Sequence, residues 1–218
     1  MFKTLFIIFF VYQSVYCAPP VIIAIAGGSG SGKSTIMKEI ANQFPDSVTT
    51  ISQDDYYKDL SYLSEKERAQ TNFDHPDSIE FSLLKEHLKS FKQGNSVKVP
   101  CYDFSTHIRS GEKIVLSSEI IIVEGLLLLT DSELRDLFDY KIFIETDADL
   151  RFIRRVQRDL LERSRTIENI IHQYEQAVRP MYISFVEPSK RFADLIIPWN
   201  NYNKTALQFV TNAIKEKI

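Results

Sequence analysis

The chain has 218 residues, of which 44% are hydrophobic and 25% are charged, and its formal net charge at pH 7 is −3. This composition is typical of a globular protein with one well-buried domain, and the negative charge argues against nucleic-acid binding through bulk positive charge. The two cysteines, Cys17 and Cys101, do not have the spacing of metal ligands, and we expect them to be unpaired thiols.

The first residues have the layout of a secretory signal. Lys3 precedes an apolar run at residues 5–12, which is too short to span a bilayer, and small residues follow near Cys17. Either the segment is a signal peptide cleaved after Cys17, or the start codon was placed too far upstream. We therefore expect a signal-like or mis-started segment at 1–18 and a single domain at 19–218, with no stable membrane span.

Beyond Pro20, short apolar runs alternate with segments of helical periodicity, which predicts a parallel sheet covered by helices. The predicted strands are residues 21–26, 48–51, 120–123, 140–144 and 195–197. Helices are predicted after the glycine loop that follows the first strand, from an N-cap at Asp77, and over residues 132–138, 147–162, 167–185 and 204–217. Two extended segments, 96–104 and 107–116, predict an inserted β-hairpin cap that stands off the main sheet.

A phosphate-binding loop joins the first predicted strand to its helix. The segment "GGSGSGKST", residues 27–35, contains the pattern G-x-x-x-x-G-K-[ST] between a strand and a helix. Glycines let backbone N–H groups converge on phosphates, the helix dipole favours anions, and Lys33 brings positive charge to the β- and γ-phosphates of a nucleoside triphosphate. The predicted fold is therefore a P-loop NTPase-type α/β sheet flanked by helices. The predicted ATP-binding residues are Gly27, Gly28, Ser29, Gly30, Ser31, Gly32, Lys33, Ser34 and Thr35.

Acidic residues that follow two of the predicted strands are expected beside this loop. Glu124 ends the apolar run "IIIVEG" and, with the Ser34 hydroxyl, predicts a Mg²⁺ site at the carboxyl edge of the sheet. Asp54 and Asp55 follow the second strand in "ISQDDYYKDL". A kinase needs a carboxylate to accept the proton of the acceptor hydroxyl, and Asp54, nearer the strand, is the predicted catalytic carboxylate.

An arginine-rich helix is expected to lie over the phosphates. The segment "RFIRRVQRDLLERSR" carries six arginines, of which Arg151, Arg154, Arg155 and Arg158 fall on one face at helical spacing. Positive charge over the equatorial oxygens of a transferring phosphoryl group stabilises that group. We therefore expect an Arg-rich helical lid that faces the phosphates; the alternative is an ordinary solvated face.

The chain resembles the uridine kinases, which are P-loop kinases related to phosphoribulokinase and pantothenate kinase. The resemblance runs from about Val21 to the C-terminus and rests on "GGSGSGKST", "SQDDYYKDL", "TNFDHPDSIEFSLL", "PCYDFSTHIR", "VEGLLLLTDSELRDLF", "TDADLRFIRRVQRDLLERSR" and "VRPMYISFVEPSKRFADLIIP". It implies ATP-dependent phosphorylation of the 5′-hydroxyl of uridine or cytidine in pyrimidine salvage, by a homotetramer that uses Mg²⁺.

The resemblance also implies roles for individual residues. Asp54 matches the family's catalytic carboxylate, which also lies beside the metal ion. Asp74 matches the residue that binds the ribose hydroxyls, a task that suits a carboxylate. Tyr102 and His107 match positions on the hairpin that hold the nucleoside, with His107 at the polar edge of the pyrimidine. Further nucleoside contacts are implied for Arg155, Arg165 and Gln173, and the lid arginines nearest the phosphates are Arg158 and Arg163.

Two segments depart from the family pattern. Ser164 stands in "ERSR" where the family usually has glycine, and serine accepts left-handed backbone angles less readily, which puts the lid geometry in doubt. The segment "PWNNYN", residues 198–203, replaces P-R-G-G on the side of the donor base. Trp199 is a candidate to stack on that base.

Other interpretations stay open at this point. A GTPase is disfavoured because "NKTA" at 203–206 lacks the acid of N-K-x-D. A related kinase could act on another small alcohol, such as a ribulose phosphate or nicotinamide riboside, and a nucleotide-binding regulator could lack turnover. ATP, Mg²⁺ and reduced thiols point to the cytoplasm, with export through the N-terminal segment as the alternative.

Overall fold

Five parallel strands form the main sheet of the protein, whose computed structural model describes residues 19–163 and 165–217. All strands in chain order are β1 Val21–Gly27, β2 Val48–Ser52, β3 Val97–Asp103, β4 Ile108–Val115, β5 Ile120–Gly125, β6 Tyr140–Glu145 and β7 Leu195–Pro198. The order in the main sheet is β2-β5-β1-β6-β7. β1 and β5 are almost entirely buried, because helices cover both faces of the sheet, and this explains their continuous apolar sequences.

Helices pack on each face of the sheet, as predicted. In chain order they are α1 Lys33–Gln43, α2 Glu65–Ala69, α3 Phe81–Lys92, α4 Ser132–Arg135, α5 Ala148–Glu162, α6 Ile167–Gln173, α7 Arg179–Met181, α8 Glu187–Ser189 and α9 Lys204–Lys215. Alternate residues of β1 enter two separate cores. Ile22 packs in the core that contains Leu84 of α3, and Ile23 packs with Ile36 of α1 and Val210 of α9.

The predicted hairpin is confirmed as a separate antiparallel pair of strands, β3 and β4. Its register shifts between Pro100 and Tyr102, which marks a bulge. Arg109 of β4 fastens the hairpin to the main body: its Nε donates to the Tyr57 carbonyl at 2.9 Å, and its Nη1 lies 2.7 Å from a carboxylate oxygen of Glu80. The hairpin is thereby held beside the end of β2.

The predicted N-cap at Asp77 is wrong. Residues Pro76–Ser78 form a 3₁₀ turn, and α3 begins only at Phe81. Ile79 is extended because it pairs with Tyr57 in an isolated antiparallel bridge, in which the Glu80 amide donates to the Tyr56 carbonyl at 2.8 Å. This tertiary pairing overrides the local capping pattern of the sequence.

The helix predicted at 167–185 is part of a longer helical segment that ends at residue 192. It contains π-helical turns at Tyr174–Val178 and Tyr182–Val186, each followed by a short α-helix that includes a proline, Pro180 or Pro188. Proline lacks the N–H that would donate a hydrogen bond in an α-helix, and the wider π-helical turns accommodate the missing hydrogen bond. The helices predicted at 132–138 and 204–217 are shorter and end at Arg135 and Lys215.

The carboxyl edge of the sheet brings three sequence motifs to one place. β5 lies between β1 and β2, and its Glu124 is in register with Ser52 of β2, while Gly125 is in register with Ala26 of β1. The glycine loop, the turn after β2 and the end of β5 are therefore neighbours.

Two expectations concern parts of the chain outside this description, namely the signal-like segment 1–18 and the serine at Ser164. Within residues 19–163 and 165–217, no helix has both the length and the apolar character needed to cross a bilayer.

Candidate active site

At Gly30 and Gly32, the glycine loop has a backbone conformation that only glycine adopts easily. Gly30 and Gly32 have φ angles of 76° and 98°. A Cβ at Gly30 would collide with the carbonyl of Arg151, and a Cβ at Gly32 would lie 2.5 Å from the Trp199 ring. The Lys33 ammonium folds back across the loop and donates to the Gly28 carbonyl at 3.0 Å. The loop is thus a close-fitting cradle that ends at the N-terminus of α1.

A small cavity of about 80 Å³ lies above the cradle, and it contains the predicted phosphate-side residues. Burial lowers the pKa of Lys33 and raises the pKa of both Asp54 and Glu124, and in each case the opposite charges nearby act against this effect. The residues lining the cavity are Ser29, Lys33, Ser34, Asp54, Tyr57, Asp74, Phe104, Glu124, Leu126, Arg155, Arg158 and Arg163.

This cavity suits a hard divalent cation. The buried carboxylate of Glu124 and the partly buried carboxylate of Asp54 share the cavity with the Ser34 hydroxyl, and oxygen ligands of this kind are what Mg²⁺ prefers. A second hydroxyl, from Ser52, donates to Oε1 of Glu124 at 2.9 Å and so orients that carboxylate. This set of oxygen donors would fit a Mg²⁺ ion.

The structure separates the adjacent acids Asp54 and Asp55. Both lie in a 3₁₀ turn, Gln53–Tyr56, in which the Asp54 amide donates to the Ser52 hydroxyl at 3.3 Å. Gln53 anchors the turn, since its Oε1 accepts from the Leu127 amide at 2.8 Å. Asp55 points to the hairpin and pairs with Lys113 at 2.7 Å, whereas Asp54 lines the cavity. Of the two acids, Asp54 faces the phosphate side.

A larger cavity of about 390 Å³ adjoins the first and lies between the hairpin, the 70–74 loop and the start of the long helical segment. All six residues predicted to bind a nucleoside line it, namely Asp74, Tyr102, His107, Arg155, Arg165 and Gln173. Burial raises the pKa of Asp74, and the positive charge of Arg155 opposes this shift. Five residues line both cavities and form the boundary between them: Tyr57, Asp74, Phe104, Arg155 and Arg163.

Aromatic rings form one wall of the larger cavity, and the sequence prediction missed most of them. Phe73 stacks on His107, and Tyr57 packs against Tyr102 with ring centroids 5.0 Å apart. Phe104 packs edge-on against Tyr102 and lies under the Arg163 guanidinium, 4.3 Å from ring centre to Cζ. The only local signal was that these aromatics adjoin predicted site residues in the sequence.

His107 is held in an unusual backbone position. It has a φ of 58°, and its amide donates to the Asp103 carbonyl at 2.8 Å in the turn between β3 and β4. Its Nδ1 is 3.3 Å from the Tyr102 hydroxyl. Burial, together with the charge of Arg165, lowers the pKa of His107, which favours the neutral imidazole.

The arginine stripe of α5 divides in the structure. Arg155 and Arg158 line the cavities together with Arg163 and Arg165, which follow the helix. Arg151 instead donates to the Thr146 carbonyl at 3.0 Å and lies over the Tyr182 ring. Arg154 donates to the Trp199 and Asn200 carbonyls, at 3.1 and 2.7 Å from its Nη2. The expectation that the whole stripe faces the phosphates is therefore wrong for Arg151 and Arg154, which hold neighbouring loops.

Trp199 is a packing residue in this structure. It is 5% exposed, belongs to the core between α1 and α9, and presses on Gly32. Its ring meets Tyr202 edge-on, with centroids 5.5 Å apart. The suggestion that Trp199 stacks on the donor base is not supported, because its faces are occupied by the protein.

Comparison with known proteins identifies the family of the chain. The model of the phosphoribulokinase/uridine kinase family matches residues 22–206. The chain belongs to this family. Family members with high similarity include a uridine kinase of Clostridium tetani, 49% identical over 201 residues, with 91% of this chain and 96% of the relative covered. A uridine kinase of Halalkalibacterium halodurans is 50% identical over 198 residues, with coverage of 90% and 94%.

The family fold is also found among solved structures. Phosphoribulokinase from Rhodobacter spheroides superimposes with a TM-score of 0.61 at 16% identity, and the match covers 84% of this chain and 71% of that chain. At this identity the likeness concerns the fold alone. It is the P-loop kinase fold that the glycine loop and the parallel sheet predicted.

Proposed function

We propose that this protein is an ATP-dependent kinase that phosphorylates the 5′-hydroxyl of uridine and cytidine to give UMP and CMP. The observation that carries the proposal is the pair of adjoining cavities. One lies on a phosphate-binding loop, the other is lined by aromatic and polar side chains, and Asp74 and Arg155 belong to both. The arrangement supports transfer of a phosphoryl group from the first cavity to an alcohol in the second. The uridine kinase relatives support the choice of alcohol.

We propose that Asp54 accepts the proton of the 5′-hydroxyl. It lines the smaller cavity together with Tyr57 and Asp74, which also line the larger one, so its carboxylate lies on the side where the acceptor hydroxyl would enter. Lys33, Arg158 and Arg163 stabilise the charge on the transferring γ-phosphoryl group. Ser34, Asp54 and Glu124 would hold Mg²⁺, which when bound would place a positive charge beside the phosphate oxygens.

The larger cavity is proposed to hold the nucleoside. Asp74 accepts hydrogen bonds from the ribose hydroxyls, and the neutral imidazole of His107 faces the polar edge of the pyrimidine beside Tyr102. Arg155, Arg165 and Gln173 complete the contacts. The volume of about 390 Å³ is at the lower end of the range for small-molecule sites, which suits a pyrimidine nucleoside.

Further proposals follow from the family resemblance and from the cofactors. The enzyme acts in pyrimidine salvage, in the cytoplasm, where ATP and Mg²⁺ are supplied, and residues 19–218 form its single kinase domain. It assembles as a homotetramer. Sedimentation of the purified protein tests the assembly, and mass spectrometry of the native N-terminus tests the localisation, since a start at Ala18 in a secreted fraction would contradict it.

An acceptor screen tests the function. ADP release from ATP and Mg²⁺ is measured with uridine, cytidine, thymidine, adenosine, nicotinamide riboside and ribulose 5-phosphate. Turnover with uridine and cytidine, and much slower turnover with thymidine, which lacks the 2′-hydroxyl that Asp74 would bind, is expected. Preferred turnover of nicotinamide riboside or ribulose 5-phosphate would establish the related-kinase alternative. ATP binding without turnover of any acceptor would indicate a nucleotide-binding regulator.

A further inference from the structure

A fully buried carboxylate, Asp159, holds the arginines that line the two cavities. It lies in the last turns of α5 and is 0% exposed. Arg158 donates from Nε to Oδ1 at 2.8 Å, and Arg165 donates from Nη1 to Oδ2 at 3.1 Å. Arg155 and Arg163 approach the same carboxylate at 3.6 and 3.7 Å. One negative charge therefore lies at the centre of four positive charges.

Asp159 remains ionised in this environment. Burial alone would raise the pKa of its carboxyl group, but the charges of Arg158, Arg155 and Arg163 outweigh burial and lower it. The carboxylate in turn relieves the repulsion among arginines that would otherwise face one another across a short distance. Without it, the guanidinium groups would lose the carboxylate that all four of them approach.

The hydrogen bonds of this cluster continue from one cavity to the other. Arg165 donates to Oε1 of Gln173 at 2.8 Å, and Arg155 donates to the same oxygen at 3.3 Å. Arg155 also donates to the hydroxyl of Ser29 in the glycine loop at 3.0 Å. A continuous chain of contacts thus runs from the phosphate-binding loop, through Arg155 and Gln173, to Arg165 and Asp159.

We propose that Asp159 is a positioning residue that couples the binding of nucleotide and nucleoside. This inference rests on the proposed function. Ordering flexible arginines costs conformational entropy, and a ligand in either cavity must order the arginines that face it. Because Asp159 joins these arginines in one unit, the first ligand orders the unit for both cavities. The second ligand then binds more tightly.

The coupling is a measurable ratio. Titration calorimetry with a non-hydrolysable ATP analogue and Mg²⁺ gives the nucleotide Kd without uridine and with saturating uridine. For the full-length protein we expect uridine to tighten nucleotide binding by about fivefold or more. In Asp159→Asn, which keeps the shape of the side chain but removes its charge, we expect this ratio to fall to about 1, with a lower kcat for uridine.

A matched control lies on the same helix. Asp149 is an exposed acid in the first turn of α5, and Asp149→Asn makes the same chemical change away from the cavities. It should keep the coupling ratio and the kcat of the unmodified protein. A residue that only stabilises the fold would change the melting temperature without changing the ratio, so the ratio distinguishes positioning from stability.

The outcomes separate this inference from the proposed function. If the unmodified protein does not phosphorylate uridine, the proposed function fails. If uridine is phosphorylated but the unmodified protein shows no coupling, or Asp159→Asn keeps the full ratio, the role of Asp159 is overturned. Should Asp159→Asn fail to fold, Arg165→Gln breaks the same chain of contacts while leaving Asp159 in place. Loss of coupling in that variant supports the inference, and full retention overturns it.

Discussion

The imidazole of His107 lies face to face with the ring of Phe73, with centroids 4.4 Å apart and planes inclined by only 14°. His107 belongs to the hairpin turn and Phe73 to the loop before the 3₁₀ turn at Pro76–Ser78, so the stack joins two separate segments around the larger cavity. The stack orients the His107 ring, which we propose to face the polar edge of the pyrimidine. It also fixes the cap against the body of the enzyme.

Phe73→Ala is expected to raise the KM for uridine about tenfold and to leave the KM for ATP within about twofold. The reason is that His107 loses the surface that orients its ring, while the phosphate loop is untouched. Steady-state kinetics with each substrate varied in turn measures both constants. Phe209→Ala, at an exposed phenylalanine of α9, is the control and should change neither. Equal effects on both KM values would contradict a role confined to the nucleoside side.

Gly32→Ala is expected to destabilise the protein by about 2–5 kcal/mol and to weaken nucleotide binding. A non-glycine residue at this positive φ costs roughly 1–2 kcal/mol, and the contact of the new Cβ with the buried Trp199 ring adds roughly 1–3 kcal/mol of overpacking. Denaturant unfolding and a nucleotide-binding titration measure the two effects.

Gly94→Ala provides the matched control for that experiment. Gly94 also has a positive φ, 78°, but a Cβ there would meet nothing within 4 Å. We expect Gly94→Ala to lower the free energy of unfolding only by the strain of the positive φ, about 1–2 kcal/mol, and to leave the nucleotide affinity unchanged. Equal losses of stability in the two alanine variants would show that the contact with Trp199 does not contribute to the destabilisation by Gly32→Ala.

His87 should make the stability of the fold depend on pH. Its Nδ1 is 2.9 Å from the hydroxyl of the buried Tyr56, and burial lowers the pKa of the imidazole below its usual value of about 6.5. The unfolded chain therefore binds a proton more readily than the folded chain. Stability from neutral His87 is present above about pH 6.5 and is lost as the pH falls below that value toward the folded pKa.

The comparison of unfolding free energies for the unmodified protein and His87→Gln isolates this contribution, because the other titrating groups are common to both. We expect the advantage of the unmodified protein to be larger at pH 7.5 than at pH 5.5. Tyr56→Phe removes the hydrogen bond but keeps the buried imidazole, so it should retain most of the pH dependence. If the difference in unfolding free energy between the unmodified protein and His87→Gln were the same at both pH values, the pH dependence would not come from His87.

The sequence predicts those features that depend on neighbouring residues and misses those that depend on tertiary contacts. The glycine loop, Glu124 and the five strands follow from local patterns, and the structure has them. The start of α3 was misplaced because Ile79 pairs with Tyr57, and Arg154 was assigned to the phosphates although its partners are the carbonyls of 199 and 200. The stack of Phe73 on His107 could not be predicted, because the fold of the hairpin brings these two residues together.

UMP formation from uridine and ATP, by the full-length protein and by Asp54→Asn and Asp55→Asn, tests the account most directly. The two acids are adjacent, but Asp54 lines the cavity and Asp55 pairs with Lys113. We predict that the unmodified protein and Asp55→Asn form UMP at rates within a few-fold of each other, and that Asp54→Asn is slower by roughly 10²–10⁴-fold. No UMP from the unmodified protein, or full activity in Asp54→Asn, would contradict the account.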